Sequence, residues 1–226
     1  MPTLAALERE AAACTRCALC EGRTQVVWGM GDPNAELMFI GEGPGAEEDR
    51  QGLPFVGRSG QLLDRLLAEE IGLTRDRCYI TNTVMCRPPG NRDPLPEELA
   101  ACRPHLDAKL DAIDPRVIVT LGRFATQVLL ETSAPINTLR GRTFPFRGGV
   151  VIPTFHPAAA LRGGGEPLAA MRADFVRAKQ AMAQGGRSAP PAGGALEPAV
   201  RAGAGRASAE PADGQPAEVQ PALARA

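Results

Sequence analysis

Apolar positions along residues 3–182 fall into short runs broken by polar or Gly/Pro-rich stretches, and each run carries its own period. Leu37-Met38-Phe39-Ile40 and Val117-Ile118-Val119-Thr120-Leu121 are almost wholly apolar and bounded by turn residues, as strands covered on both faces are. Cys78–Val84 is rich in β-formers and reads as another strand; Val150–Pro153 reads as a fourth. Between them the period becomes helical. Leu62, Leu63, Leu66, Leu67 and Ile71 share one face, with Ser59 placed as N-cap and Gly72 as the stop. Thr3–Ala13 reads as a helix capped by Thr3. Pro96, Glu97 and Glu98 open another, which Pro104 is expected to kink or restart before His105–Ile113. Arg123–Leu130 and Pro167–Met182 complete the helices, and Ala158–Arg162 can start one more. Gln25–Trp28 is a candidate short strand, and Thr143–Phe146 pairs with Val150–Pro153 across Gly148-Gly149. Strands alternating with helices predict an α/β fold on a mostly parallel sheet.

The residues with chemistry cluster where strands end. Ile40-Gly41-Glu42-Gly43-Pro44-Gly45-Ala46-Glu47-Glu48-Asp49 follows the first strand, and its glycines and proline predict a tight loop open to close approach of a ligand. Its acids, and a spacing that matches neither phosphate-loop template, argue against a nucleotide cradle. Asn82 ends the second strand, Gly122 follows the third and Thr154-Phe155-His156-Pro157 follows the fourth. In open α/β sheets ligands bind beyond the carboxyl ends of the strands, so these residues point to one site. Phe55, between Pro54 and Val56, taken alone reads as a core plug.

Composition divides the chain. Of the 40 residues 187–226, 24 are Ala, Pro or Gly and none is aromatic. Such a segment buries too little apolar surface to offset its ordering entropy. Residues 1–184 therefore read as one domain and 185–226 as a disordered Ala/Pro/Gly-rich tail. The formal net charge of -1 gives no whole-chain nucleic-acid signal. Neither a membrane span nor a secretory signal is visible, which predicts a cytoplasmic protein with reduced thiols. The six cysteines then need a reason other than disulfides. Cys14-x-x-Cys17 pairs with Cys86 and Cys102 as a four-thiolate set, suited to zinc or to an iron–sulfur cluster. Cys20 extends the first motif and stays open as a ligand. Cys78, at a strand's start, reads as a small buried hydrophobe.

Taken in order, these stretches resemble one family: Gly41-Glu42-Gly43-Pro44-Gly45 with Glu47-Glu48-Asp49, Gly52-Leu53-Pro54-Phe55-Val56-Gly57, Tyr79-Ile80-Thr81-Asn82, Cys86-Arg87-Pro88-Pro89 with Asn91-Arg92, and Phe155-His156-Pro157. The family is the family 4 uracil-DNA glycosylases, the iron–sulfur branch of that superfamily, and the resemblance covers Leu4–Met182. It implies a three-layer sandwich with a central four-stranded parallel sheet flanked by helices. It implies a structural [4Fe–4S] cluster on Cys14, Cys17, Cys86 and Cys102, leaving Cys20 and Cys78 unassigned. The implied activity is monofunctional: uracil is flipped out of DNA and its N-glycosidic bond hydrolysed, leaving an abasic site. Glu42 and His156 are the implied catalytic residues, and Gly43, Glu48, Phe55 and Asn82 the implied uracil-binding ones, so that Phe55 stacks on the base and Glu48 excludes thymine's methyl. Pro44 and Pro157 would grip DNA phosphates, with Arg87, Arg92, Arg140 and Arg162 supplying charge, and Ala158–Leu161 would carry a wedge. The implied partner is uracil-containing DNA, single- or double-stranded, met by a monomer on the bacterial nucleoid, with the tail available to a repair or replication partner.

Two rivals remain at this point. A neighbouring iron–sulfur branch bonds covalently to uracil-DNA, but its Gln-Pro loop and basic insertion are missing from Glu42-Gly43-Pro44 and Gly57–Leu62. A non-catalytic, polymerase-associated scaffold would not need Glu42, Asn82 and His156 together.

Overall fold

Side-chain alternation along β2 (Leu37–Gly41) sets the layers. Leu37 and Phe39 enter one core with Leu63, Leu66 and Phe175, while Met38 and Ile40 enter a second with Leu106, Leu110 and Leu129. A strand with apolar residues on both sides must lie between two helical layers. The computed structural model, which describes residues 2–163 and 165–185, has that arrangement. The expected tail, apart from Gly185, lies outside the described residues.

The sheet contains β1 (Met30–Gly31), β2, β3 (Tyr79–Asn82), β4 (Val117–Leu121), β5 (Phe144–Phe146) and β6 (Gly149–Thr154), in the order β1-β3-β2-β4-β6-β5. Strands β3, β2, β4 and β6 are mutually parallel and form the middle. The expected four-stranded parallel sheet is therefore the centre of a six-stranded mixed one. The edges β1 and β5 are antiparallel, β5 joining β6 through Arg147 (φ 45°) and Gly148 (φ 81°). Both central residues have positive φ, as the twist of a two-residue hairpin requires.

Nine helices among the described residues cover the faces: α1 (Leu4–Ala12), α2 (Leu19–Gly22), α3 (Ala46–Gln51), α4 (Arg58–Leu66), α5 (Pro96–Ile113), α6 (Arg123–Leu130), α7 (Ile136–Leu139), α8 (Pro157–Gly163) and α9 (Gly165–Ala183). Three of them correct the sequence reading, and α1 keeps its expected Thr3 cap. The acidic stretch is not all loop: α3 puts Glu47, Glu48 and Asp49 in its first turn, where the helix dipole favours carboxylates. Gly57, not Ser59, caps α4, because the Gly57 carbonyl takes the first helical bond, from Gln61 at 3.1 Å. Helix α5 runs unbroken through Pro104. Pro104 and Ala100 are both exposed, so the carbonyl that Pro104 deprives of a partner faces water. Finally, α1 ends on Ala12, with Thr3 Oγ1 accepting from the Ala6 N–H as its cap. Gln25–Trp28 forms no strand: Val27 donates to Met85, and the side chains of Thr24 and Gln25 are tied to α3.

Register fixes the site. Gly41 lies opposite Asn82 across β2 and β3, and Leu121 opposite Thr154 across β4 and β6. The segments leaving these strands therefore emerge on the same sheet edge.

Candidate active site

A cavity of about 540 Å³ opens at that edge. Glu42, Gly43, Glu48, Phe55, Asn82 and His156, the six site residues expected from the sequence, all line it. Gly41 makes their convergence sterically feasible. A Cβ there would strike the Asn82 amide oxygen and, at 2.5 Å, the Phe55 ring, so a bare backbone lets both side chains seat against the pocket floor. Gly41→Ala is accordingly expected to cut turnover by about 10²-fold, the cost of displacing pocket groups by roughly 1 Å. Steady-state kinetics together with a melting curve close to that of the parent check this; unchanged turnover contradicts it.

Phe55 is held in place by strain. Its φ is 54°, unusual for an aromatic residue, and its carbonyl accepts from Arg75 Nη2 at 2.9 Å. Gly60 lets α4 approach it, since a Cβ at that position would overlap the Phe55 carbonyl. The Phe55 ring is buried, but at the pocket wall, 5.8 Å from the His156 ring and tilted 32° to it.

Asn82 is 2% exposed, yet its Oδ1 has no hydrogen-bond partner among the described residues. An orphaned buried acceptor costs about 1–3 kcal/mol, so one at the base of an open cavity calls for a donor from a ligand. His156 Nδ1 accepts from the Ala158 N–H at 3.2 Å, which leaves the proton on Nε2. Burial pushes the imidazole pKa down to about 4, with Arg162 adding to the shift and Glu48 opposing it. His156 is thus neutral near pH 7 and offers one N–H. Gly122 (φ 94°) permits its approach, because a Cβ there would lie 3.1 Å from His156 Cβ. Glu42 is half-buried, and burial followed by the nearby Asp93 charge raises its carboxyl pKa, against a lowering by Arg123. Glu48 Oε1 accepts from the Gly57 N–H at 3.1 Å, holding its carboxylate at the pocket wall.

Sequence reasoning did not single out Ser59, Asn91 or Asp93 as pocket-lining residues. Asn91 Oδ1 accepts from Arg87 Nε at 2.8 Å, and Asp93 pairs with Arg123. Two of the arginines expected to face phosphate also hold carboxylates. Arg92 forms a fork with the buried Glu98, at 2.9 and 2.6 Å, and Arg140 bonds the buried Asp174 at 3.2 Å. Arg92 and Arg162 line the pocket.

Three of the four expected thiols pack together, and Arg23 ties the Cys14 backbone to Cys86. Cys86 and Cys102 are buried in one small apolar cluster with Trp28, Val84 and Met85, and Cys17 packs against it. Arg23 Nη1 donates to the Cys14 carbonyl at 2.7 Å and to Cys86 Sγ at 3.4 Å, and His105 Nε2 lies 3.4 Å from Cys14 Sγ. Burial pushes the Cys102 thiol up to about 11, with Cys86 and Cys17 among the neighbours that add to it. Among the described residues no three His, Cys, Asp or Glu side chains are gathered closely enough for one metal ion. Cys78 is buried in the main core, as the sequence suggested, and its thiol faces the Arg75 carbonyl at 3.5 Å.

Fold and pocket together define an α/β protein with a cavity at the carboxyl edge of its sheet, lined by Glu42, Glu48, Phe55, Asn82 and His156. A profile of the uracil DNA glycosylase superfamily matches residues 28–181. A type-4 uracil-DNA glycosylase of Sulfurisphaera tokodaii is 45% identical over 169 residues, 71% of this chain and 77% of the relative. That of Saccharolobus solfataricus is 41% identical over 191 residues, 80% of this chain and 88% of the relative. That of Thermotoga maritima is 48% identical over 157 residues, 69% and 81%. The chain belongs to the uracil-DNA glycosylase superfamily and, within it, to the type-4 family.

Proposed function

We propose that this chain is a monofunctional uracil-DNA glycosylase, which takes uracil out of the DNA stack and hydrolyses its N-glycosidic bond. The observation that carries the reading is Asn82, which lines the pocket and whose buried Oδ1 has no hydrogen-bond partner among the described residues. Uracil presents N3–H as a donor beside O4 as an acceptor, so one carboxamide satisfies both. Cytosine presents an acceptor at N3 beside an amino donor and leaves Asn82 mismatched.

The other residues take roles that fit their surroundings. Phe55 stacks on the extruded ring. As the N1–C1′ bond breaks, its electron pair leaves with uracil and the sugar becomes oxocarbenium-like. His156 Nε2–H donates to O2, where negative charge develops; no proton need transfer. The Gly43 backbone N–H approaches the same base. Glu42 orients the water that bonds to C1′ and opposes the sugar's positive charge. Glu48 lies against C5 and leaves no room for thymine's methyl.

Cys14, Cys17, Cys86 and Cys102 are suited to a [4Fe–4S] cluster. Support comes from the packing of Cys17, Cys86 and Cys102 in one cluster and from Arg23 Nη1, which donates to Cys86 Sγ and whose charge favours the thiolate that a cluster ligand must be. When bound, the cluster ties the N-terminal segment to the loop after Cys86, whose Pro88 and Asn91 line the pocket. The partner is uracil-containing DNA, met by a monomer. No helix among the described residues is long and apolar enough to cross a membrane.

The test is abasic-site formation on uracil-containing single- and double-stranded DNA with EDTA present, scored by strand scission in alkali. Scission at uracil only is expected; intact strands, or a protein–DNA adduct surviving denaturing electrophoresis, overturn the reading. A visible absorption band in anaerobically purified protein is expected for the cluster, and a colourless zinc-containing protein contradicts it.

The acid limb of the rate reports Glu42, because the working form is its carboxylate. Asp93 raises the Glu42 pKa, so Asp93→Asn lowers it and moves the acid limb of kcat to lower pH. A pH–rate profile with an unmoved acid limb contradicts this coupling.

A further inference from the structure

Three consecutive residues join the cysteine set to the helix that carries Glu48. Arg23 grips the cysteine side: besides Cys14 O and Cys86 Sγ, its Nη2 donates to the Ala12 carbonyl at 3.4 Å. Thr24 grips the helix side. Its backbone N–H donates to both carboxylate oxygens of Asp49, at 2.9 and 3.1 Å, and its hydroxyl to Asp49 Oδ2 at 2.6 Å. Gln25 Nε2 then donates to the Arg50 carbonyl at 2.7 Å.

Apart from the bond that Glu48 Oε1 accepts from the Gly57 N–H, helix α3 has little else to seat it. Of its six residues only Asp49 is buried, so no apolar side chain anchors it to either core. A carboxylate 4% exposed must be hydrogen-bonded, and Thr24 supplies its donors. The clasp thus specifies where α3 sits, and Glu48 is the neighbouring residue in the chain. A hydrogen-bonded clasp is also directional, so it fixes the helix's rotation as well as its distance.

We propose that Arg23-Thr24-Gln25 is a strap by which the cysteine centre sets the position of Glu48 in the base pocket, with Asp49 as its positioning residue. The strap makes exclusion of a 5-methyl pyrimidine depend on a contact outside the pocket. It rests on the reading of Glu48 as the group that faces C5.

The experiment compares the parent with Asp49→Asn, Thr24→Val, Thr24→Ser, Arg23→Met and Glu48→Ala, all as full chains. Three quantities are read: the ratio of kcat/KM on uracil- and thymine-containing DNA, iron and visible absorbance per chain, and amide exchange over residues 46–51. Asp49→Asn and Thr24→Val are expected to keep the iron, lower the uracil-to-thymine ratio at least tenfold and speed exchange of the α3 amides at least tenfold. Thr24→Ser keeps the hydroxyl and restores both. Arg23→Met, and chelation of iron from the parent, are expected to speed the same amides. Adding Asp49→Asn to Glu48→Ala changes the ratio no further. If Glu48→Ala lowers the ratio while Asp49→Asn and Thr24→Val leave it at the parent value, the strap is wrong. If Glu48→Ala itself leaves the ratio unchanged, the assignment of Glu48 falls, and the exchange data judge the strap alone: parent-like exchange in Asp49→Asn, or in Arg23→Met, overturns it.

Discussion

His156→Ala is expected to slow uracil excision under single-turnover conditions by about 10²–10³-fold, the usual cost of losing one preorganised donor to a developing anion. Affinity for DNA should change little, because the ring is lodged in the pocket and not among the phosphate-facing groups. The protonation state makes the role specific. With Nδ1 occupied by the Ala158 N–H and the pKa pushed down to about 4, the imidazole donates from Nε2 while uncharged. An imidazolium acid would make the rate climb as pH falls toward 6. A neutral donor predicts no such climb, and protonation of His156 matters only near pH 4. Single-turnover rates from pH 5 to 8, with electrophoretic binding to DNA carrying a non-cleavable uracil analogue, separate the cases. Parent-like excision by His156→Ala removes it from the leaving-group role, and loss of binding in parallel with rate makes it a contact and no more.

The sequence was most informative where local pattern and function coincide. The apolar runs 37–40 and 117–121 are strands because nothing else accommodates so much two-sided burial, and the ends of β2, β3 and β6 place Glu42, Asn82 and His156 on one edge. What it hid was tertiary. No local pattern marks Asp49 as buried; it reads as one more acid in a charged run, and its burial depends on Thr24, 25 residues away. Lys109 reads as the polar face of a helix, yet it is fully buried, donating to Thr81 Oγ1 at 2.9 Å and lying 4.0 Å over the Trp28 ring. Burial pushes its pKa down to about 7. Pro104 misled in the opposite direction, because proline's cost depends on whether the orphaned carbonyl meets water, and only the folded helix decides that. The ion pairs that Arg92 and Arg140 make were invisible in one dimension, where an arginine near a site looks unpaired. Their carboxylate partners, Glu98 and Asp174, were not recognisable as buried from sequence.

Asn82→Asp should do more than weaken the enzyme; it should change what the enzyme accepts. The parent side chain brings one acceptor and one donor to a floor with no competing partner for Oδ1 among the described residues. Rejection by mismatched buried hydrogen bonds is strong, about 10⁴–10⁵-fold where a site is built for one pattern. Aspartate replaces the amide donor with an oxygen, so uracil O4 meets an acceptor while cytosine's amino group gains one. Uracil turnover should therefore fall and cytosine excision rise from background, collapsing the uracil-to-cytosine ratio of kcat/KM by several powers of ten. Burial raises the pKa of an unpaired carboxyl, and the introduced side chain, once protonated, can still donate to O4. Its turnover should then depend on pH in a way the parent amide's cannot: the neutral acid brings one donor and one acceptor, which suit O4 and N3–H of uracil or N3 and the amino group of cytosine, so both excisions should rise relative to the parent as pH falls. Alkaline scission of matched uracil- and cytosine-containing strands across pH 5 to 8 measures both effects. A variant that keeps parent selectivity at every pH would show that the base is read elsewhere and that the orphaned oxygen of Asn82 is not its ligand.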